Sequence, residues 1–307
     1  MSENEVIYVA KPNRYLEQIY NGYTRFFEEF SAQLRQFHEV RALDLPDIWV
    51  RDFLPVQNVQ TGALTRLFFD PRYANYTAKF TAEIRQQVRG LFPQAKPSDV
   101  RMDGGNIVLT PDKKYALCME KQTIFHKSDV ARKAHVEREL TDALGVEQIL
   151  WIAHQAGDKI GHIDGYIQCL GLNLIEGIEE LYGGITTGGL LDRLGAEKLY
   201  HYWTTKVYPK KNSEQWTGVF PDCPPRPHWM YLMCRPDEQS WLSARGLYVN
   251  FLETSRAVFL PQFDLPEDED AFYSIKQLTK KPVVRVDCRK IAEYGGAVHC
   301  LTREYSQ

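Results

Sequence analysis

The sequence has neither a concentrated run of positive charge nor a long apolar segment. Its closest basic clusters are the lysine pairs at 210–211 and 280–281, and its formal net charge is −3. Because phosphate binding normally requires a basic patch, we do not expect nucleic acid as a partner. No apolar run approaches the roughly 20 residues of a membrane-spanning helix, so we do not expect a membrane partner either.

Targeting signals and paired cysteines are also lacking. The polar N-terminal segment contains no apolar stretch of the kind that a signal peptide needs. None of the six cysteines belongs to a CxxC pair or has the spacing of a zinc finger. Scattered cysteines without a secretory signal are typical of reduced thiols, and they predict a cytoplasmic protein.

The composition is that of an ordinary globular protein. Hydrophobic residues make up 44% of the chain and charged residues 25%, which is typical of a folded chain with a buried core. The length of 307 residues suffices for one large domain or two modest ones. Since no segment resembles an interdomain linker, we expect a single domain that spans residues 1–307.

Four segments have the periodicity of amphipathic helices. In the first, apolar residues recur at steps of three and four from Leu16 to Phe37. Boundary signals mark two of the others, because Pro93 follows one of them, and Ser128-Asp129 and Gly145 flank another. The predicted helices cover about residues 13–38, 78–92, 128–144 and 269–279.

Short apolar runs bounded by glycine, proline or aspartate lie between these helices and predict strands. The runs are 64–69, 106–110, 148–152, 165–170, 247–252, 257–261 and 282–287. Strands that alternate with helices favour an α/β fold. The segments 105–152 and 246–287 each resemble a strand pair with one helix, which indicates a pseudo-repeat of about 50 residues. The proline-rich, polar segment 208–228 is predicted to be a surface loop and a candidate lid.

Four short segments place titratable side chains at turn-like positions beside the apolar runs. They are DIWVRD (47–52), MDGGN (102–106), GHIDG (161–165) and GGAVHC (295–300). Taken singly, each has an ordinary structural interpretation. A lone cysteine such as Cys300 is usually a small buried hydrophobe, and an aspartate before two glycines often begins a turn.

Taken together, the four segments carry a coherent set of chemical groups. A cysteine nucleophile such as Cys300 needs a general acid and base, which His162 can supply. The carboxylates of Asp52, Asp103 and Asp164 would oppose thiolate formation, because nearby negative charge raises the pKa of a thiol. They make sense for a cationic substrate, since paired carboxylates bind a planar guanidinium and the bound cation favours the thiolate.

In this order, the segments resemble the guanidine-modifying enzyme superfamily, and most closely the agmatine deiminase and Porphyromonas-type peptidylarginine deiminase family. The family motifs W-x-R-D, Glu-Gly-Gly, G-H-x-D and G-G-x-x-H-C correspond to residues 49–52, 103–105, 161–164 and 295–300. With its flanks, the resemblance covers about 45–175 and 245–303. It implies a five-bladed α/β-propeller, or pentein, with pseudo-repeated ββαβ units around a central active-site channel.

The resemblance also implies a role for each motif residue. Cys300 is expected to attack the guanidinium carbon, and His162 to protonate the departing ammonia and then activate water. Asp52 and Asp164 are expected to bind the guanidinium nitrogens, with Asp103 supporting the histidine. The resemblance implies no metal and no organic cofactor, and it suggests a homodimer.

Departures from the family bear on the site and the substrate. Position 103 is Asp where the family usually has Glu, so its carboxylate reaches one methylene less far. Arg72 stands where the family has an Asn-Ala-Trp-Gly-Gly segment, and it would either bind a substrate carboxylate or pair with an acidic neighbour. Residues 176–245 are also unlike the family and are a candidate for shaping the substrate entrance. Trp49 is expected to pack on the methylene chain of the substrate.

The sequence therefore predicts a guanidine deiminase, a hydrolase of linear amidines that acts on a small cationic guanidino substrate. The leading substrate is agmatine, which would be converted to N-carbamoylputrescine as in putrescine biosynthesis. The alternatives are deimination of arginine or peptidyl-arginine to citrulline, and amidino transfer to an amine. A further alternative is a catalytically dead member that only binds a guanidino ligand or partner.

Overall fold

The computed structural model describes residues 4–71, 76–110, 112–121, 124, 129–152, 160–165, 168 and 243–307. The chain divides into two compact units, and it passes from the first to the second between Arg51 and Asp52. Of the described residues, the first unit contains 4–51 and 243–307, and the second contains those between 52 and 168. Arg72, the predicted loop at 208–228 and nearly all of 176–245 lie outside the described residues.

Twelve strands and six α-helices are present in the described part of the chain. In chain order they are β1 (Glu5–Ala10), α1 (Arg14–Ile19), α2 (Tyr23–Arg35), β2 (Glu39–Leu43), α3 (Val50–Phe53), β3 (Val56–Gln57), β4 (Leu64–Arg66), α4 (Ala78–Leu91), β5 (Lys96–Pro97), β6 (Val108–Leu109), β7 (Tyr115–Met119), α5 (Val130–Leu144), β8 (Gln148–Ile152), β9 (Leu252–Glu253), β10 (Val258–Gln262), α6 (Asp268–Leu278), β11 (Val283–Asp287) and β12 (Arg303–Ser306). Short 3₁₀ turns cover Gly104–Asn106, Ile163–Gly165 and Ile291–Tyr294.

The described strands form three-stranded sheets that all repeat one pattern. The first unit contains the orders β12-β1-β2 and β11-β10-β9, and the second contains β3-β4-β5 and β6-β7-β8. In each sheet the central strand pairs antiparallel with one neighbour and parallel with the strand that follows a helix. A parallel pair needs such a crossover, so each sheet with its helix forms one unit of the predicted repeat. The α/β class and the predicted units at 105–152 and 246–287 are confirmed.

The central strands β7 and β10 are buried on both faces. In β10 the side chains of Val258, Phe259 and Leu260 have no exposed surface, and Phe259 meets Phe30 of α2 edge to face at 6.2 Å. In the second unit, β7 and α5 pack into one apolar cluster that includes Cys118 and Leu140. Strands covered on both sides have no need of polar alternation, which explains their continuous apolar sequence.

The first predicted helix is wrong in one respect, because residues 13–38 form two helices and not one. The chain turns at Gly22, whose φ of 85° lies in the left-handed region that favours glycine. The carboxylate of Glu17 accepts hydrogen bonds from the backbone N–H groups of Gly22 and Thr24, both at 2.7 Å. It thereby satisfies donors at the start of α2 that have no helical partner. The apolar periodicity continues across this break, so periodicity alone cannot locate it.

The other helix predictions are confirmed to within two residues. Thr77 caps the start of α4 through its side-chain oxygen, and Asp129 caps α5 in the same way. Gly145 ends α5 with a φ of 73°. The predicted strand at 247–252 is wrong for most of its length, because only Leu252 lies in a strand and the preceding residues form turns. In the parts of the chain that the structure covers, no helix is both long and apolar enough to cross a membrane.

Candidate active site

In the second unit, a buried histidine lies between two carboxylates. His162, at the start of the 3₁₀ turn Ile163–Gly165, has its Nε2 atom 3.1 Å from Oδ2 of Asp103. Its Nδ1 atom is 3.5 Å from Oδ1 of Asp52. His162 and Asp103 are almost fully buried, and Asp164 in the same turn has 1% of its surface exposed. The aspartate at 103 therefore reaches the histidine although its side chain is one methylene shorter than glutamate.

Gly105 is the point at which these groups converge. Its backbone N–H donates a hydrogen bond of 3.0 Å to Oδ1 of Asp52. A Cβ atom at this position would lie 2.6 Å from Oδ1 of Asp52, 2.7 Å from Nδ1 of His162 and 3.3 Å from Oδ2 of Asp164. Only glycine leaves room for this arrangement, so the Gly-Gly sequence has a steric role as well as a turn-forming one.

The protonation states in this cluster are coupled. Burial disfavours the charged ring of His162, but the Asp52 carboxylate and the hydrogen bond to Asp103 outweigh burial and raise the pKa of His162. Burial, together with the charges of Asp103 and Asp164, raises the pKa of Asp52 to about 7 against the opposing effect of His162. These shifts favour the protonated form of the imidazole, beside a carboxyl group that can also hold a proton.

Lys121 belongs to the same cluster, although the sequence motifs do not include it. Its ammonium group lies 3.3 Å from Oδ2 of Asp103, and its side chain is only 12% exposed. Burial opposes ionisation of Asp103, but Lys121 and His162 outweigh it and lower the pKa of Asp103. A pair of charged residues, Glu120-Lys121, directly after the buried strand β7 is the sequence signal that could have identified Lys121.

In the first unit, Cys300 lies in a turn held by hydrogen bonds to Asn250. The Asn250 Nδ2 atom donates to the Cys300 sulfur at 3.2 Å, and Oδ1 accepts from the backbone N–H groups of Ala297 and Cys300 at 3.2 and 3.3 Å. Cys300 is 8% exposed and Asn250 is fully buried. The sequence reasoning missed Asn250, although a polar residue inside the apolar run LYVNFL was a signal.

Arg51 of the W-x-R-D motif braces the same turn. Its backbone N–H donates to the Cys300 carbonyl at 3.1 Å, and its Nε atom donates to the His299 carbonyl at 3.2 Å. The guanidinium forms a two-pronged ion pair with Glu304, at 3.0 and 2.5 Å. Burial opposes the charge on Glu304, but Arg51 outweighs it and lowers the pKa of Glu304 to about 2. The Arg51 side chain therefore binds groups of the protein itself. Its neighbour in the motif, Asp52, belongs to the histidine cluster.

Trp49 packs beside the cysteine turn. A Cβ atom on Gly296 would overlap its indole ring, and the ring meets Tyr20 edge to face at 6.0 Å. The half-buried indole offers an apolar face of the kind that a methylene chain contacts. Its predicted contact with substrate stays a prediction.

The predicted site residues thus form two sets, each described within its own unit. Cys300 and Trp49 lie in the first unit, and the carboxylates and His162 lie in the second. The remaining candidate, Arg72, is outside the described residues. In the portion of the chain that is described, no three His, Cys, Asp or Glu side chains form a group that could hold a metal ion.

Comparison with known families places the chain among the deiminases. The sequence profile of the family described as Porphyromonas-type peptidyl-arginine deiminase matches residues 4–175 and 225–305, which is more than half of the chain. A curated relative, agmatine deiminase of Pseudomonas aeruginosa (strain LESB58), is 22% identical over 288 residues. The match covers 84% of this chain and 74% of that protein.

Solved structures are similar along the whole chain. The agmatine deiminase of C. jejuni superposes with a TM-score of 0.63 at 18% identity, covering 100% of this chain and 94% of that one. The agmatine deiminase of Enterococcus faecalis superposes with a TM-score of 0.62 at 15% identity, with the same coverage of 100% and 94%. At such identities the likeness shows a shared α/β fold, and it leaves the substrate open.

Proposed function

The chain belongs to the Porphyromonas-type peptidyl-arginine deiminase family, and on that premise we propose that it hydrolyses a guanidino group to a ureido group with release of ammonia. Agmatine is the first substrate to test, because the curated relative and the solved structures described above are agmatine deiminases. The product from agmatine would be N-carbamoylputrescine.

The observation that carries the proposal is the arrangement around His162. One ring nitrogen is held by Asp103 at 3.1 Å, and the other faces Asp52 at 3.5 Å. Asp164 approaches the same point at Gly105. A buried acid–base group among several carboxylates suits a cationic substrate, because the substrate charge compensates the carboxylates while the imidazole transfers protons. We assign proton transfer to Nδ1, since Nε2 is engaged by Asp103.

The proposed reaction has two stages. The Cys300 thiolate adds its electron pair to the guanidinium carbon, and the tetrahedral adduct expels ammonia when the leaving nitrogen takes a proton from His162. This leaves a positively charged amidino-thioether on the sulfur. Water then attacks the same carbon and gives a proton back to His162. Collapse of the second adduct expels the thiolate and the ureido product, and the remaining hydroxyl proton passes to the released ammonia.

The carboxylates of Asp52 and Asp164 are proposed to grip the two sides of the guanidinium. Paired carboxylates match the donors of this planar cation, and burial strengthens the interaction. The substrate cation would stabilise the ionised form of Asp52, whose pKa burial raises to about 7 in the free protein. Trp49 is proposed to contact the methylene chain, and Arg72 to bind a carboxylate if the substrate is an arginine.

The proposal also extends to the architecture. We take the chain as a single catalytic domain with the fold of a five-bladed α/β-propeller. A cytoplasmic location, a homodimer and the absence of any metal or organic cofactor are part of the same proposal, on the strength of the sequence and the family resemblance.

Replacing the nucleophile provides the direct test. Cys300→Ala should abolish ammonia release and ureido formation from every guanidine tried, because no thiolate remains to form the intermediate. The matched control is Cys288→Ala, since Cys288 is a fully buried cysteine of the same unit that the mechanism does not use. It should keep its activity with some loss of stability. Full activity in Cys300→Ala would show that this chemistry is wrong.

A substrate panel then separates the alternatives. Ammonia release is measured with agmatine, free arginine, and peptides that carry internal or C-terminal arginine. A preference for agmatine supports the leading assignment, whereas a preference for arginine with a selective loss in Arg72→Ala supports a carboxylate anchor. Adding glycine, ornithine or lysine as acceptors tests amidino transfer, which would give a new guanidino product and no ureido compound.

A further inference from the structure

Lys121 carries a charge that lies almost entirely inside the protein. Its side chain is 12% exposed, and its ammonium group lies 3.3 Å from Oδ2 of Asp103, which is itself buried. Lysine is seldom removed from water to this degree unless it is paired, because desolvation of an unpaired ammonium group is costly. The same Oδ2 atom lies 3.1 Å from Nε2 of His162. One carboxylate oxygen therefore connects the ammonium group to the imidazole.

Asn106 holds the two segments that carry this ion pair against each other. Its fully buried amide donates to the Met119 carbonyl at 3.0 Å and accepts from the Met119 N–H at 2.9 Å. Asn106 belongs to the 3₁₀ turn that follows Asp103, and Met119 ends β7 two residues before Lys121. The approach of Lys121 to Asp103 is therefore set by the backbone of the second unit, beyond the contact of the two side chains.

The charged groups that lie around the His162 ring include three carboxylates and one ammonium group. They belong to Asp52, Asp103, Asp164 and Lys121. Burial and the charge of Lys121 act to lower the pKa of His162, against Asp52 and Asp103, which act to raise it. In the proposed reaction His162 first gives a proton to the departing ammonia. Without an opposing positive charge, the carboxylates would make the imidazolium a weaker acid for that step.

We propose that Lys121 is a positioning residue, whose ammonium group holds Oδ2 of Asp103 against the His162 ring and offsets the negative charge around that ring. It acts through Asp103 and needs no contact with the substrate. The inference rests on the proposed function in taking His162 as the group that transfers protons. The titration of the His162 ring can nevertheless be measured without any guanidino substrate.

The test is the titration of His162 by NMR in protein with isotope-labelled histidine, with the pH dependence of kcat/KM as a second readout. The His162 signals are assigned from the spectrum of His162→Gln. Lys121→Met removes the charge and the donor but keeps a side chain of similar length. The midpoint of the His162 titration should rise by about one pH unit, as expected when one nearby charge is lost. The basic limb of the kcat/KM profile should move to higher pH with it, and kcat should fall severalfold because the imidazolium is a weaker acid.

Two further variants separate the charge of Lys121 from its hydrogen bond. Lys121→Gln keeps a donor without a charge, so its midpoint should also rise. Lys121→Arg keeps both a donor and a charge, and it should restore the midpoint and kcat to near those of the unaltered protein. A lysine with a merely structural role would not make the His162 titration depend on the charge at position 121.

The matched control is Lys133→Met. Lys133 pairs at 3.0 Å with Glu120, the residue before Lys121, and its side chain is 22% exposed. Its loss should leave the His162 midpoint unchanged.

An equal or lower midpoint in the folded neutral variants of Lys121 would overturn the inference, and so would a rise as large as theirs in Lys133→Met. Loss of folding in both Lys121→Met and Lys121→Gln would assign Lys121 a structural role and would overturn it as well. A raised midpoint in the neutral variants, together with no turnover of any guanidine by the unaltered protein, would leave the inference standing and remove the proposed function.

Discussion

The Cys300 turn and the His162 cluster both bury a reactive group, and they do so with different interactions. In the first region, the neutral amide of Asn250 donates a hydrogen bond to the Cys300 sulfur and accepts hydrogen bonds from the backbone N–H groups of Ala297 and Cys300. Around the imidazole, the partners are the carboxylates of Asp52 and Asp103, with Lys121 behind Asp103. The first region relies on fixed dipoles, whereas the second relies on formal charges that can gain or lose protons.

This difference predicts that the two regions respond differently to pH and to substitution. Charges in a buried cluster respond to pH and to the loss of any one member, because each carboxylate sets the pKa of the others. Hydrogen bonds from an amide do not titrate, so the cysteine turn should depend on geometry more than on pH. Perturbing one region at a time therefore separates an effect on the protonation states of the histidine cluster from an effect on the placement of the proposed nucleophile.

The largest effect is expected from Asp103→Asn in the charged region. Removing this carboxylate takes away a group that raises the pKa of His162, so that pKa should fall. Since the proposed acid is the imidazolium, activity should be lost at lower pH than in the unaltered protein. We expect about a 10- to 100-fold loss of kcat/KM near pH 8 and a smaller one near pH 6, measured as a pH–rate profile, as for other groups that support a catalytic residue.

A surface trio in the same unit provides the control for that variant. Asp99 pairs with His135 at 2.9 Å and with Arg132 at 2.7 Å, which reproduces the carboxylate, imidazole and cation of the buried cluster in an exposed setting. Asp99→Asn should leave the pH–rate profile unchanged. An unchanged profile in Asp103→Asn as well would mean that the carboxylate does not govern the histidine.

An intermediate effect is expected from adding one methyl group to each region. In Gly105→Ala the new Cβ would press on the ends of the Asp52 and His162 side chains, which can move, so activity should fall about tenfold with little loss of stability. In Gly296→Ala the new Cβ would overlap the Trp49 ring, and overpacking should cost about 1–3 kcal/mol of unfolding free energy. Steady-state kinetics and urea unfolding check the two outcomes.

Gly90→Ala is the reference for both glycine variants. Gly90 lies in α4, and nothing lies within 4 Å of the position that a Cβ would take. Since alanine is favoured over glycine within a helix, this variant should be neutral or stabilised by up to about 1 kcal/mol. If Gly105→Ala loses stability but keeps its kcat/KM, the close approach at Gly105 is structural only.

The smallest effect is expected from Glu304→Gln, which weakens the ion pair that braces the cysteine turn. Arg51 outweighs burial and lowers the pKa of Glu304 from 4.5 to about 2, so the pair contributes stability above pH 4.5 that is lost as pH falls toward 2. Since 31% of the Glu304 side chain is exposed, solvent screens the pair, and the variant should be less stable at pH 7 by about 1–1.5 kcal/mol, with the difference shrinking in acid. Urea unfolding at pH 7 and pH 3 measures this change.

The exposed pair Arg285–Glu269 serves as the comparison for Glu304. Glu269 is 58% exposed along its side chain, so Glu269→Gln should cost less than about 1 kcal/mol at pH 7. A loss in Glu304→Gln no larger than this would show that burial adds nothing to the Arg51 pair.

The sequence predicted several elements well because their signals are local. The helix α5 begins at a capping aspartate and ends at Gly145, and each signal acts within one turn of the chain. By contrast, β2, β3 and β5 went unrecognised, because β2 contains Glu39 and Arg41 and is largely exposed, and the other two are only two residues long. The break at Gly22 was missed because the apolar periodicity continues from α1 into α2.

The site residues divide in the same way, into those that local motifs select and those that they do not. Four motifs in order sufficed to select Cys300, His162 and the carboxylates as candidates. In each motif, the candidate side chain lies beside residues of unusual shape or charge in the chain. Asn250 and Lys121 could not be selected in this way. Each contacts a residue that is distant in sequence, since Asn250 lies 50 positions before Cys300 and Lys121 lies 18 positions after Asp103.

The sequence by itself determined the α/β class, the bounds of α4, α5 and α6, and the set of chemical groups that a guanidine deiminase requires. These depend on periodicity, capping and residue type, all of which are local. Only the tertiary structure decided that Gly105 is the meeting point of three side chains, that Asp103 reaches His162, and that the Asn250 amide faces the Cys300 sulfur. Such contacts depend on how turns that are far apart in sequence pack within each unit. A local sequence pattern carries no information about that packing.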